Sequence, residues 1–341
     1  MSLVDYLHRV AGGQDLDEAQ SRDAMIEILS GRASIPQIAA FLVALRMKGE
    51  KVQELVGFAR AMREMAERVD VGLKDEPLLD TCGTGGDGAG TFNISTTVAF
   101  VVAGAGVRVA KHGNRSISSA CGSADVMDRL GVRLALSPAE LARAIREIGI
   151  GFLYAPALHP AMRYAQPARL ELKMRTVFNL LGPLANPAGA SVQLVGAPSP
   201  EAARLLANAL AALGLKRAFV VHGSDGLDEI TTTGPTLVLD VRPGSVSEFT
   251  VLPEHFGLPR ASLDELRGGD AETNAQIIRS VLAGEPGPRR DIVLANAAAA
   301  LMAAGMAADG RAGVTLAARA IDSGAARRKL EALIAFTQGQ S

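Results

Sequence analysis

The residues able to do chemistry in this chain gather in three short strings. The first is Gly83-Thr84-Gly85-Gly86-Asp87-Gly88, followed by Thr91, Asn93, Ser95 and Thr96. Glycines let backbone N–H groups approach an anion closely, and the positive end of a following helix adds to that attraction. Hydroxyl and amide side chains just ahead of the apolar run at 98–105 suit a helix start. One such residue is enough for a cap; four make a surface for phosphate or a hydrated metal. Gly83, Gly85 and Gly88 also satisfy G-x-G-x-x-G, the spacing of dinucleotide-binding turns. Two features oppose that reading. Asp87 would repel a pyrophosphate unless a metal or a sugar hydroxyl lay between. The next apolar run, 107–110, ends in Lys111-His112 and not in the acidic residue that such turns use for ribose.

The second string is Lys111-His112-Gly113-Asn114-Arg115-Ser116-Ile117-Ser118-Ser119. Lysine and arginine bring positive charge, while the glycine and serines bring donors and room. His112 is either a ligand contact or a hydrogen-bonded loop histidine; residue type leaves both open. The third string runs His222-Gly223-Ser224-Asp225-Gly226-Leu227-Asp228-Glu229. Adjacent carboxylates cost energy unless a cation relieves them. Magnesium takes one or two carboxylates and completes its shell with water and substrate phosphates, so Asp228 and Glu229 suit it beside two anion loops. An acidic turn or helix cap is the plainer alternative. The spacing excludes an EF-hand.

These strings need a scaffold. Up to about residue 70 the pattern is helical: Ser34 ahead of Pro36 marks a start, and Ile38, Phe41, Leu42 and Leu45 share one face. Gly49 ends that element, and Leu55, Val56, Ala59 and Met62 mark the next. Beyond residue 70, short apolar runs at 77–79, 107–110, 192–196, 218–222 and 237–241 alternate with helical stretches such as 138–148 and 200–213. That alternation predicts an α/β fold: a small N-terminal helical domain over 1–70, then a large α/β domain over 71–341 with a central, mostly parallel sheet. The segment near 169–187, rich in Leu, Asn and Pro, is expected to return to the helical part. In open α/β sheets ligands sit at the carboxyl ends of strands, where the first two strings fall.

Composition narrows the partners. The 341 residues are 48% apolar and 21% charged, with a formal net charge of -1. No basic excess calls for nucleic acid, and aromatics at 4% with no Trp leave few stacking platforms for single strands. Cys82 and Cys121 form no C-x-x-C pair, which speaks against a disulfide scaffold or a zinc site and fits reduced thiols in a cytosol. Asp5, His8 and Arg9 interrupt any apolar leader, and the Ala-rich run at 292–306 is too short to span a bilayer and carries Asn296. A soluble cytoplasmic protein without membrane partners is expected.

Taken jointly, GTGGDG with TFNIST, KHGNRSISS with GSADV, RTVFNLLGPLANP, HGSDGLDEITTTGPT and GEPGPRRDIVLANAAAAL closely resemble the anthranilate phosphoribosyltransferases of tryptophan biosynthesis, over essentially the whole chain. The resemblance implies a cleft between a helical and an α/β domain, and a homodimer formed through the helical part. It implies a magnesium-dependent transfer from 5-phosphoribosyl 1-diphosphate to anthranilate. By the same resemblance Gly83, Gly86, Asp87, Thr91, Asn93, Ser95, Thr96, Lys111 and Ser123 hold the donor, with 112–119 lining the same site. Ser95, Asp228 and Glu229 bind Mg²⁺, with Lys111, Asp228 and Glu229 as the catalytic groups. Asn114 and Arg169 meet anthranilate, and His112 and His159 line its entry path. The chain departs from the family pattern at Ala120 and Cys121, where relatives carry Lys and Ser, and over 170–174. A pyrimidine nucleoside phosphorylase would share the architecture but add a C-terminal domain, and a non-catalytic nucleic-acid-binding relative would need a basic groove.

Overall fold

The structure is a computed structural model that describes residues 1–73, 76–116 and 121–339. Four helices open the chain: α1 (Leu3–Ala11), α2 (Glu18–Leu29), α3 (Ile35–Lys48) and α4 (Val52–Glu64). Each buries a stripe at helical spacing, such as Leu3, Tyr6 and Val10 on α1 and Ile38, Phe41, Leu42 and Leu45 on α3. The start of α3 is fixed as its sequence requires. Gln37 Oε1 accepts the Ser34 N–H at 2.9 Å, and Pro36 occupies the first turn, where it loses no hydrogen bond.

The α/β part follows as β1 (Leu78–Asp80), α5 (Ile94–Gly104), β2 (Arg108–Gly113), α6 (Ser123–Leu130), α7 (Pro138–Glu147), β3 (Ile150–Tyr154) and α8 (Ala155–Leu158). After α9 (Gln166–Leu172) and α10 (Val177–Leu181) it resumes with β4 (Val192–Gly196), α11 (Pro200–Ala212), β5 (Arg217–Gly223), β6 (Thr236–Arg242) and β7 (Ser245–Val251). Four helices close it: α12 (Ala271–Leu282), α13 (Pro288–Ala303), α14 (Gly310–Asp322) and α15 (Ala325–Thr337). The strands form one sheet in the order β3-β2-β1-β4-β5-β6-β7, parallel from β3 to β5 and antiparallel at β6 and β7.

Side chains alternate across this sheet as strand geometry demands. Leu194, Phe219 and Val221 pack with α5, α12, α13, α14 and α15, whereas Val195, Ala218 and Val220 pack toward α11 and the opening helices. The second core also takes in Ala165, Ala168, Val177, Phe178 and Leu181, so α9 and α10 rest against α3 and α4. Among the described residues no helix is long and apolar enough to cross a membrane.

Two strands escape the sequence reading, β3 and β7. β3 is Ile-Gly-Phe-Leu-Tyr, too short to show a period; β7 is a polar edge strand whose even alternation is masked by Ser, Glu and Thr. The omission of β3 shifts a boundary that matters. Lys111, His112 and Gly113 pair with Phe152, Leu153 and Tyr154, so β2 runs on to Gly113 and Lys111 and His112 are strand residues, not loop residues as expected.

Candidate active site

Chain order reverses between β1 and β4: β2 and β3 lie on one side of β1, β4 and β5 on the other. Such a switch point leaves a crevice beyond the carboxyl ends of the two strands. A cleft of about 380 Å³ opens there. The loop after β5 crosses directly over Gly196, where a Cβ would lie 1.7 Å from the Asp228 carbonyl oxygen. At Gly83 a Cβ would lie 2.7 Å from Asp228 Oδ2. Bare backbone at these two points lets the carboxylate string settle onto the glycine string.

The carboxylate loop is pinned from two directions. Asp225 Oδ2 accepts from Thr231 Oγ1 at 2.5 Å and Thr233 Oγ1 at 2.6 Å, and Asp225 Oδ1 accepts the Leu227 N–H. Asn296, buried in the Ala-rich α13, accepts the Ile230 N–H at 2.8 Å and donates back to the Ile230 carbonyl at 2.9 Å. This pair of hydrogen bonds between amide and backbone explains the lone Asn in an apolar helix.

Asp228 Oδ2 accepts the Gly85 N–H at 2.9 Å, and Asp87 lies within hydrogen-bonding contact of the same carboxyl group. Burial, then the Asp87 charge, pushes the Asp228 carboxyl up to about 7. Burial and the neighbouring Asp228 charge raise Glu229 well above the usual carboxylate range, although the Ser95 N–H donates to it. Lys111, lowered from the ordinary lysine value by burial, donates from Nζ to the Thr81 carbonyl at 2.6 Å and to Ser95 Oγ at 3.3 Å. Asp87, Asp228 and Glu229 crowd together before the buried Lys111 ammonium and the Arg175 guanidinium, a donor set still short of positive charge. Asp228, Glu229 and Ser95 therefore fit a divalent cation held on one open side. Among the described residues no three His, Cys, Asp or Glu side chains close a metal cage by themselves.

Most residues singled out in the sequence come together. Gly83, Gly86, Asp87, Thr91, Asn93, Ser95, Lys111, His112, Gly113, Asn114, Arg115, Ser116, Ser123, Arg169, Asp228 and Glu229 all line this cleft. Thr96 does not: it turns into the buried side of α5. Ile117, Ser118 and Ser119 lie outside the described residues, as does Ala120. Arg115 lines the cleft, but its guanidinium is committed to Asp125 at 2.8 Å and Asp128 at 3.1 Å, so its charge is already answered. The sequence reading gave no role to Arg175, Phe178, Asn179, Gly182, Gly268 or Gly269, which also line the cleft. For the first four, the signals were the expected return of 169–187 and the string RTVFNLLGPLANP, which runs from Arg175.

Arg169 differs from Arg115. It is half-buried, with its guanidinium 5.2 Å from the centre of the Phe178 ring, and among the described residues its side chain has no hydrogen bond or ion pair. Burial lowers its affinity for the proton without a carboxylate to compensate. An unanswered cation in a cleft is a receptor for an anion.

His112 lines the cleft but His159 does not; their ring centres are 5.2 Å apart, and among the described residues neither buried Nε2 has a hydrogen-bond partner. His112 Nδ1 donates to the Gly182 carbonyl at 3.1 Å. Burial pushes His112 down to about 4 and His159 to about 3. Both values lie below 6.5, so as pH falls from 6.5 the unfolded chain takes up protons first and these rings increasingly oppose folding. Asp80, buried and raised to about 6, acts with the opposite sign over part of the same range. Ring ¹⁵N titration by NMR isolates the histidines: both are expected to remain neutral at pH 5, and a His112 ring half-protonated at pH 6 would contradict this account.

Family models match both parts of the chain: a glycosyl transferase family helical bundle domain over residues 4–66 and a glycosyl transferase family a/b domain over 75–327. Fold and cleft thus define a two-part glycosyl transferase. An anthranilate phosphoribosyltransferase from Solibacter usitatus is 62% identical over 336 residues, 98% of this chain and 99% of the relative. One from Symbiobacterium thermophilum is 57% identical over 97% of this chain and 96% of the relative. Among solved structures, anthranilate phosphoribosyltransferase from Thermus thermophilus superposes with a TM-score of 0.92 at 44% identity, covering 99% of this chain and 100% of that one. The Saccharomyces cerevisiae enzyme in complex with PRPP and Mg gives 0.91 at 29% identity, covering 99% and 98%. The chain belongs to the anthranilate phosphoribosyltransferase family, enzymes of the pentosyltransferase class.

Proposed function

We propose that this enzyme transfers the phosphoribosyl group of 5-phosphoribosyl 1-diphosphate to anthranilate with Mg²⁺, giving N-(5-phosphoribosyl)anthranilate and diphosphate for tryptophan biosynthesis. The observation that carries the acceptor assignment is the unanswered, half-buried Arg169 in the same cleft as the glycine string. Its fork pairs with the carboxylate of anthranilate, while Phe178 and the neutral His112 provide an uncharged wall for the ring.

The donor's diphosphate lies over the N–H groups of the glycine string, near Asn93, Ser95 and Ser123, with Asn114 between donor and acceptor. Asp228, Glu229 and Ser95 hold Mg²⁺, which when bound neutralises charge on the diphosphate. The C1–oxygen bond breaks through a loose, cation-like transition state as the acceptor nitrogen approaches the opposite face. Lys111 and the loop N–H groups favour that state, because negative charge grows on the leaving diphosphate as the bond opens. An aromatic amine is unprotonated at neutral pH, so no strong base is needed before attack; the new C1–nitrogen bond leaves an acidic N–H whose proton passes to solvent or the departing diphosphate, and positioning and electrostatics supply the rest.

We further assign residues 1–70, with the return near 169–187, to a small domain and 71–341 to a large one. We place the enzyme in the cytoplasm as a homodimer joined through the helices. Exposed Ile35 and Met47 on α3, with Leu170 on the adjoining α9, support an apolar contact there.

Loss of anthranilate fluorescence is expected only when enzyme, donor and magnesium are all present. Arg169→Ala is expected to raise the KM for anthranilate by about 10²-fold, with a change of no more than a few-fold in the donor KM. An unchanged acceptor KM would remove Arg169 from the site.

A further inference from the structure

Arg175 stands between α9 and α10 and takes no part in the proposed reaction as described. Its Nη1 donates to the carbonyl oxygens of Gly85 at 2.6 Å and Gly86 at 3.0 Å. Its own carbonyl accepts from Nη1 of Arg46, on α3, at 2.7 Å. Hydrogen bonds therefore run from the opening helices through Arg175 to the glycine string. Arg175 is half-buried, and among the described residues its buried Nη2 has no hydrogen-bond partner.

In a trans peptide the C=O and N–H point to opposite sides of the chain. Holding the Gly85 carbonyl turns the Gly86 N–H away from the guanidinium, and holding the Gly86 carbonyl does the same to the Asp87 N–H. Among the described residues neither of these N–H groups has a hydrogen-bond partner, whereas the preceding one, on Gly85, is taken by Asp228. Gly85 and Gly86 have φ of 63° and 74°. Glycine has little preference between such a conformation and its mirror image, so an outside tie must choose one.

We propose that Arg175 is a positioning residue for the diphosphate donor. By fixing two peptide planes it presents the Gly86 and Asp87 N–H groups as a preformed anion cradle, and it ties that cradle to the helical part through Arg46. This rests on the donor assignment made above. A glycine loop without the tie must be ordered by the donor itself, so the loss falls on donor binding.

The test is steady-state kinetics with both substrates varied, on the wild type, Arg175→Ala, Arg175→Lys and Arg46→Ala, with thermal melting of each. Arg175→Ala is expected to raise the donor KM by about tenfold or more and leave the anthranilate KM within about twofold. Arg175→Lys should recover part of the loss, because an ammonium can still meet the two carbonyls. Arg46→Ala should show a smaller rise confined to the donor. If Arg175→Ala does not fold, Arg46→Ala decides: a donor-specific rise supports the role, and an unchanged donor KM overturns it. Equal changes in both KM values, or an unaffected donor KM in Arg175→Ala, overturn it as well. A wild-type chain without turnover sinks the proposed function, and this inference with it. A wild-type chain that turns over beside donor-insensitive variants sinks only the role of Arg175.

Discussion

Asp228→Asn is expected to lower turnover by about 10²–10³-fold while leaving the fold as stable as before or more so. The two halves of that expectation come from the same geometry. Asp228 sits against Asp87 and beside Glu229, and burial already works against its charge. An asparagine keeps the shape and keeps an oxygen for the Gly85 N–H, but removes one of three crowded negative charges. Folding then loses a repulsion, as often happens when an active-site group is neutralised. Under the proposed function, catalysis loses a ligand for Mg²⁺. Turnover at saturating magnesium and melting temperature without magnesium, measured together, check both halves. Near-normal turnover would remove Asp228 from the machinery, and a fall of many degrees in melting would show that its charge holds the loop.

Gly196→Ala is expected to be as severe by a different route. The added methyl would overlap the Asp228 carbonyl, and neither backbone can retreat easily, because β4 is held between β1 and β5 while Asn296 and Asp225 hold the loop. Relief must come from moving the carboxylate string. A shift of about 1 Å at reacting groups costs on the order of 10²-fold in rate, and overpacking of this kind costs about 1–3 kcal/mol of stability. Urea titration and turnover of the purified variant measure the two losses. A variant matching the wild type in both would mean that β4 and the loop are not locked together.

Much of the site could be read from the chain because its chemistry is local. Glycines, hydroxyls and carboxylates that must act together lie within a few residues of one another, and each string follows a short apolar run that becomes a strand. What failed was anything that depends on pairing at a distance. Lys111 and His112 read as loop because their strand partner, β3, carries no period of its own. Thr96 belongs to the same hydroxyl cluster as Ser95, yet a helix turns each successive residue by about 100°, which sends one to the cleft and the other to the core. Arg115 and Arg175 have the same side chain, and residue type alone does not separate their roles. Only coordinates show that the first is neutralised by two aspartates and the second grips the glycine backbone. The Asn186 amide that joins Asp80 to the Ala110 carbonyl, linking β1 to β2 beneath the cleft, is another contact no spacing rule could supply.

The clasp between Asn296 and Ile230 has a bearing on synthesis. Loop and helix are separated by 66 positions, and the helix belongs to the last sixth of the polypeptide. Until that helix is made, the carboxylate loop has only the local bonds of Asp225 to Leu227, Thr231 and Thr233 to shape it. A nascent chain halted before residue 288 lacks the Asn296 hold on that loop and is expected to be inert.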